Sequence, residues 1–326
     1  MLKAKNGNIY MLIIFIFSFA VNVALGFLVV ILKEFGYEIL PDFLLVCLHI
    51  FSFIAPFIFY VVINRGKLRF SEILPLKNPG VVNILLVIGM AITIQPIVML
   101  FSAVSSLLFP NNVSDAVTDM LSGSGVYLTL LIVSIMPAIT EEITIRGVVL
   151  SNYKSVNPIW AAIVTGLYFG LLHMNLQQFP YTFILGIVLA LVVIFSKSVY
   201  CSMLFHFAFN GVSVLLALVL TSLEEAPGME AEALAAASSS DMIIITIVTF
   251  AGIALVFTPV FIALIYLFYL NNKKRLAKEA AAVEITNETV EPDAGKDRFA
   301  DWAFFCAIIA GILLSLAVTL ANMWAA

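Results

Sequence analysis

Three short patterns carry the residues of this chain that could do chemistry: Glu141-Glu142-x-x-x-Arg146, Phe169-x-x-x-His173 and His206-x-x-x-Asn210. Each pattern interrupts a different apolar segment of lipid-spanning length. A charge at the bilayer centre costs roughly 2.5–3.5 kcal/mol on insertion scales, so intramembrane Glu, Arg and His are functional by default. The order and placement of the three patterns point to one polar site assembled inside a membrane, with water activation as its chemistry.

Helical spacing divides the labour between these residues. Positions four apart share a helix face, so Glu142 and Arg146 can neutralise each other as a structural ion pair. Glu141 lies about 100° further round at 3.6 residues per turn and is left to face another surface as the working carboxylate. Pro137, one turn earlier, removes a backbone hydrogen bond and crowds the carbonyl of Val133, so a kink is predicted there. Such a kink is tolerated in lipid only where protein or a water-filled cavity satisfies the freed groups. Phe169 and His173 share a face, as do His206 and Asn210. An Asn at 210 can donate its amide to a developing oxyanion, although interhelical hydrogen bonding is the plainer use of Asn in membranes.

The elements that must position these groups follow from composition. Hydrophobic residues make up 63% of the chain and charged residues 11%, with a mean hydropathy of +1.11. That balance excludes an ordinary soluble domain. A net charge of −4 gives no footprint for nucleic acid, and none is expected as a partner. Cys47, Cys201 and Cys306 lie in apolar runs without metal spacing and read as space-filling thiols. His49 lies alone in an apolar run and reads as a packing or interfacial residue. Ser122-Gly123-Ser124-Gly125 reads as a linker in an outward loop, and Asn112-x-Ser114 and Asn287-x-Thr289 are short glycosylation-type matches of low specificity.

Segments of about twenty apolar residues occur near 9–32, 43–64, 81–109, 126–150, 159–179, 181–196, 199–221, 242–270 and 302–325. The first is too long for a signal h-region and reads as a retained helix. The predicted fold is therefore all-α: a polytopic membrane bundle of eight or nine transmembrane helices around an intramembrane polar cavity. With the N-terminus cytoplasmic, Lys33 is the one basic residue of sixteen that falls outside. Nine alternating spans put the C-terminus outside. The acidic 222–241 segment reads as a mobile external loop, and 271–300, opening on Lys273-Lys274-Arg275, as a cytoplasmic linker near anionic lipid headgroups. No internal repeat marks a transporter built from duplicated halves.

The three patterns resemble those of the CPBP family, the CAAX prenyl protease and bacteriocin-processing intramembrane proteases. The resemblance covers about residues 126–215 and is met at Glu141, Glu142, Arg146, Phe169, His173, His206 and Asn210. It divides the chain into N-terminal transmembrane helices (1–125), a catalytic core (126–221), and an acidic external loop with C-terminal helices (222–326). It implies a peptide-bond hydrolase in which Glu141 and His173 activate water while His206 and Asn210 stabilise the tetrahedral oxyanion. Its implied partners are a peptide or membrane-protein substrate, prenylated in some relatives, and the surrounding lipids. A multi-pass protein of a prokaryotic plasma membrane is expected. No cofactor is expected. The alternative is zinc held by Glu141, His173 and His206 with water in the fourth position, although the compact His-Glu-x-x-His signature is absent. A non-catalytic immunity or scaffold protein of the same fold, and an ion or proton transporter, are the competing function classes.

Overall fold

Lipid supplies no hydrogen-bond partners, so a chain this apolar must satisfy its backbone within helices. The computed structural model describes residues 2–37, 40–224, 240–284 and 298–325, and among these the secondary structure is helical, apart from a lone bridge between Leu76 and Ser198. Among the described residues, eight helices are long and apolar enough to cross a membrane: α1 (Ala4–Glu34), α2 (Asp42–Ile63), α3 (Val81–Ser105), α4 (Val113–Asn152), α6 (Phe179–Ser196), α7 (Val199–Val219), α8 (Ile244–Ala277) and α9 (Trp302–Ala321). A shorter apolar helix, α5 (Pro158–Leu172), lies between α4 and α6. The protein is an all-α, multi-pass membrane bundle. Large apolar side chains such as Leu255, Val256 and Phe27 stay exposed on its outside, where lipid replaces a protein neighbour.

Three boundaries differ from the sequence reading. The span expected over 159–179 stops at Leu172, because Met174 takes a positive φ of 48° and the Asn175 side chain accepts from the backbone of Gln177 and Gln178. Fifteen residues at about 1.5 Å each reach only about 22 Å, short of a hydrocarbon core of about 30 Å. The second correction concerns 112–124, expected as an outward loop. It is helical, capped by Asn111, and only Gly125 departs from helix at φ 80°. The supposed linker is thus the end of a helix and one break. Third, the helix containing α8 runs on to Glu284, because the Lys- and Ala-rich stretch after 270 contains strong helix formers and no breaker. Residues 225–239 and 285–297, with most of the acidic loop, part of the linker and the Asn287-x-Thr289 match, lie outside the described residues.

Among the described residues the basic side chains, Lys33 apart, gather at one end of the bundle. There Lys154 Nζ donates to Glu72 O at 2.8 Å, Val199 N to Pro75 O at 2.8 Å, and Arg275 Nη1 to Pro79 O at 3.1 Å. Asn8 binds Phe299 O, Asp301, Tyr153 and Tyr168 at the same end. At the opposite end, Ser124 bonds Asp42, Leu176 N donates to Thr319 Oγ1 at 3.1 Å, and Gln177 Nε2 donates to Ser102 Oγ at 2.9 Å.

The tightest helix pair is α5 against α6, and it rests on glycine. Gly166-x-x-x-Gly170 on α5 faces Gly186 on α6, the small-residue seam by which membrane helices approach closely. A Cβ at Gly166 would stand 2.6 Å from Ile187 Cγ1 and 2.9 Å from the Ile187 backbone N. Because backbone cannot yield as a side-chain tip does, Gly166→Ala should destabilise the protein by about 1–3 kcal/mol. Thermal unfolding in detergent would register this as a lowered midpoint. The same substitution at Gly252, whose Cβ meets nothing within 4 Å, should leave it unchanged.

Candidate active site

The backbone of α4 is irregular on both sides of the glutamates. A short α-helical stretch, Met136–Glu142, sits between two π-helical stretches, Leu130–Ile135 and Ile143–Val149. Widened turns of this kind often occur at functional sites, since they re-aim side chains and leave carbonyls for other donors. Pro137 has no N–H for the carbonyl of Val133. Asn210 fills that need from α7, its Nδ2 donating to Val133 O at 2.8 Å. In return Ser134 Oγ donates to Phe207 O at 2.8 Å, so α4 and α7 clasp each other across the proline.

The two glutamates part company as helical spacing predicts. Glu142 is fully buried, and its Oε1 accepts from Arg146 Nη1 at 2.8 Å. The same oxygen is 3.0 Å from His206 Nδ1. The predicted ion pair is therefore one half of a three-membered link, and sequence spacing gave no hint of the third member. Arg146 is also fully buried. Its Nη2 donates to Gly186 O at 3.2 Å and its guanidinium lies over the Phe169 ring, 4.3 Å from the centroid. Phe169 stands edge-on to both imidazoles, at 5.0 Å from His173 and 5.7 Å from His206. One aromatic ring thus braces the cation and both histidines.

A carbonyl can only accept, so the 2.8 Å contact of His173 Nδ1 with Phe169 O puts the proton on Nδ1. His206 likewise directs Nδ1 to a carboxylate. In each ring Nε2 remains for chemistry, the arrangement by which a neighbour fixes a histidine tautomer. Both rings, Glu141 and Asn210 line one cavity of about 670 Å³. Glu141 is 8% exposed, and its Oε2 is buried without a hydrogen-bond partner. A buried acceptor left open at a cavity wall suits a group whose partner is a reactant.

Two further residues line the cavity: His49, read from the sequence as a packing or interfacial residue, and Gln95, which that reading did not single out. His49 lines the same cavity, with neither ring nitrogen hydrogen-bonded and its ring edge-on to Phe53 at 5.5 Å. An intramembrane His was already the signal, and its isolation in sequence hid it. Gln95, also in the wall, donates to Phe209 O at 2.7 Å and supports α7. Among the described residues, no three His, Cys, Asp or Glu side chains stand together as a metal-holding group. The three cysteines are free.

This is a polytopic helix bundle in which carboxylate and imidazole side chains line one cavity between membrane-length helices. Residues 123–212 match the family described as Type II CAAX prenyl endopeptidase Rce1-like. The match supports a place among the CPBP/CAAX proteases and, in general terms, an intramembrane endopeptidase of the CAAX type. None of the curated proteins and none of the solved structures matches the chain.

The shared oxygen of Glu142 makes a specific expectation. Glu142→Gln leaves the Arg146 charge buried without its partner, a loss of roughly 3–5 kcal/mol for a fully buried pair. It should also lower turnover in whatever protein still folds, because His206 loses the carboxylate that orients it. Full kcat per folded molecule, measured after size-exclusion purification, would reduce Glu142 to a partner of Arg146 alone.

Proposed function

We propose that the protein hydrolyses peptide bonds of membrane-associated peptides or membrane proteins, using water activated by Glu141 and His173. The supporting observation is the open, buried Oε2 of Glu141 in the wall of a cavity that it shares with His173. In this reading Glu141 takes a proton from water as the water oxygen attacks the carbonyl carbon. His173, neutral with Nδ1–H on Phe169 O, offers Nε2 as a second acceptor to hold the water. The oxyanion then forms beside His206. Because Nδ1 of His206 already faces Glu142, Nε2 is the ring nitrogen left to meet the oxyanion. Collapse breaks the C–N bond, and the proton held by Glu141 passes to the leaving amine.

Asn210 has two roles in this scheme. One N–H of its amide satisfies Val133 O, and the second stays available for the oxyanion. Its first role is structural. Glu142, Arg146 and Phe169 act through the histidines they hold. The catalytic core is proposed as residues 126–221, flanked by helices that close the cavity. By its charge pattern the N-terminus lies in the cytoplasm, and a prokaryotic plasma membrane is the proposed location.

The test is hydrolysis of a quenched-fluorescence peptide library by protein reconstituted in lipid. Glu141→Gln should keep the fold and lose at least the factor of about 10²–10⁴ usual for a general base. His206→Ala should slow kcat by about 10²–10³, the usual loss for one oxyanion donor. Activity should survive chelators, and elemental analysis should find no stoichiometric zinc. One equivalent of tightly held zinc, lost together with activity in His206→Ala, would replace this mechanism with the zinc reading. A wild type inert toward every peptide but still binding them would favour the scaffold reading.

A further inference from the structure

The cavity has a direction. At its deep end stand Glu141, His173 and His206. From there the wall climbs α7 through Phe209 and Ser213 to Ala217, and climbs α3 from Gln95 to Ser106. Its upper rim is made by Asn111, Ser114 and Val117 at the start of α4, with Phe250 of α8. Among the described residues none of the lining comes from the basic end, where residues 64–80, 150–160, 196–199, 271–277 and 298–301 meet.

Below the site the bundle is closed by hydrogen-bonded polar side chains. Ser151 Oγ donates to Ile73 O at 2.8 Å, Asn152 Nδ2 to the Tyr60 hydroxyl at 3.0 Å, and Tyr168 to Asn8 Oδ1 at 2.8 Å. Asn8, Asn152 and Tyr168 are each 1% exposed or less. A chain coming from the basic end would have to break this plug. The opposite end offers an open path.

Charge marks the rim as well. The helix that supplies Ser114 and Val117 also carries Asp115 and Asp119, both exposed, and Asp42 is bonded to Ser124 nearby. By the positive-inside rule the basic end is cytoplasmic, so this acidic rim faces the other side. From His206 to Ala217 the wall rises about 16 Å at 1.5 Å per residue, room for about five residues of extended peptide at about 3.3 Å each.

We infer that substrate enters from the non-cytoplasmic side, as an extended peptide with a basic end at the acidic rim and the cleaved bond about five residues deeper. The substrate is thus an exported or outward-facing segment of a membrane-anchored peptide, not a chain end presented from the cytoplasm. This rests on the reading of Glu141 as the working base, and its test separates the two.

Quenched-fluorescence peptides with a lysine-rich end, unable to cross membranes, would be added to sealed vesicles of both orientations. Cleavage by right-side-out vesicles, with inside-out vesicles active only after detergent, is the expected result. Cleavage by intact inside-out vesicles overturns the proposal. Silence in both preparations, even in detergent, counts against the protease reading and leaves sidedness to labelling. For that, Ser114→Cys and Lys67→Cys would be exposed to an impermeant maleimide in intact cells, with wild type giving the background of its native thiols. Labelling at Ser114→Cys and protection at Lys67→Cys support the proposal, and the reverse pattern overturns it. Asp115→Asn with Asp119→Asn should lower kcat/KM several-fold for lysine-ended peptides but not for neutral ones, with the difference fading in high salt. Equal rates for the two peptide classes in wild type would remove the basic end from the proposal.

Discussion

One carboxylate oxygen, Oε1 of Glu142, ties the site together. It accepts from Arg146 on its own helix and faces the imidazole of His206 on α7. Arg146 in turn reaches the Gly186 carbonyl of α6 and covers the Phe169 ring of α5. Four helices are thereby joined through two buried charges. An isolated ion at this depth would be prohibitive, and a pair is tolerable only with good geometry and further hydrogen bonds. The pair is held by its contacts to Gly186, Phe169 and His206, although Glu142 Oε2 and Arg146 Nε stay buried without partners, and the histidine attached to it is thereby held in place.

The helices reach that arrangement by giving up regularity where the site needs it. Pro137 frees a carbonyl, the π-helical turns widen α4, and α5 stops early at Leu172. Each irregularity leaves polar backbone at membrane depth, where water from the bilayer cannot help. The freed Val133 carbonyl goes to Asn210, and the Phe169 carbonyl takes the His173 ring. The repairs are made by motif residues. The Gly166–Gly186 contact brings α5 and α6 close enough for Arg146 to span from Phe169 to Gly186.

Helical spacing and hydropathy made much of this legible. The bundle, eight of the nine spans, the opposed faces of Glu141 and Glu142, and the Pro137–Val133 conflict follow from local rules applied to the sequence. What local rules miss is partnership across helices. Nothing in the chain joins Glu142 to His206, sixty-four positions apart, or says that Asn210 answers Pro137. His49 shows the same limit, since an isolated residue in sequence can share a cavity with Glu141 once α2 packs on α4. The short α5 was hidden for another reason: hydropathy continues past Leu172, while the turn is set by Met174 and the Asn175 side chain.

Water supply couples the catalytic groups to the cavity that leads to them. Hydrolysis consumes one water per bond, and a site beneath about 15 Å of lipid-facing helix must be wet on one side. The polar side chains along the cavity wall, Ser102, Ser106, Gln178 and Thr182 among them, provide hydrogen-bond partners for water or for an extended peptide backbone. Below Glu141 buried polar side chains bond one another instead, Asn152 to Tyr60 and Tyr168 to Asn8. In the proposed scheme, a site wet from above and closed from below admits a nucleophile and a substrate by the same route. It also keeps that route from becoming a path for ions through the bundle. In that scheme the Asn8–Tyr168 and Asn152–Tyr60 contacts are as much a condition of function as the placement of Glu141.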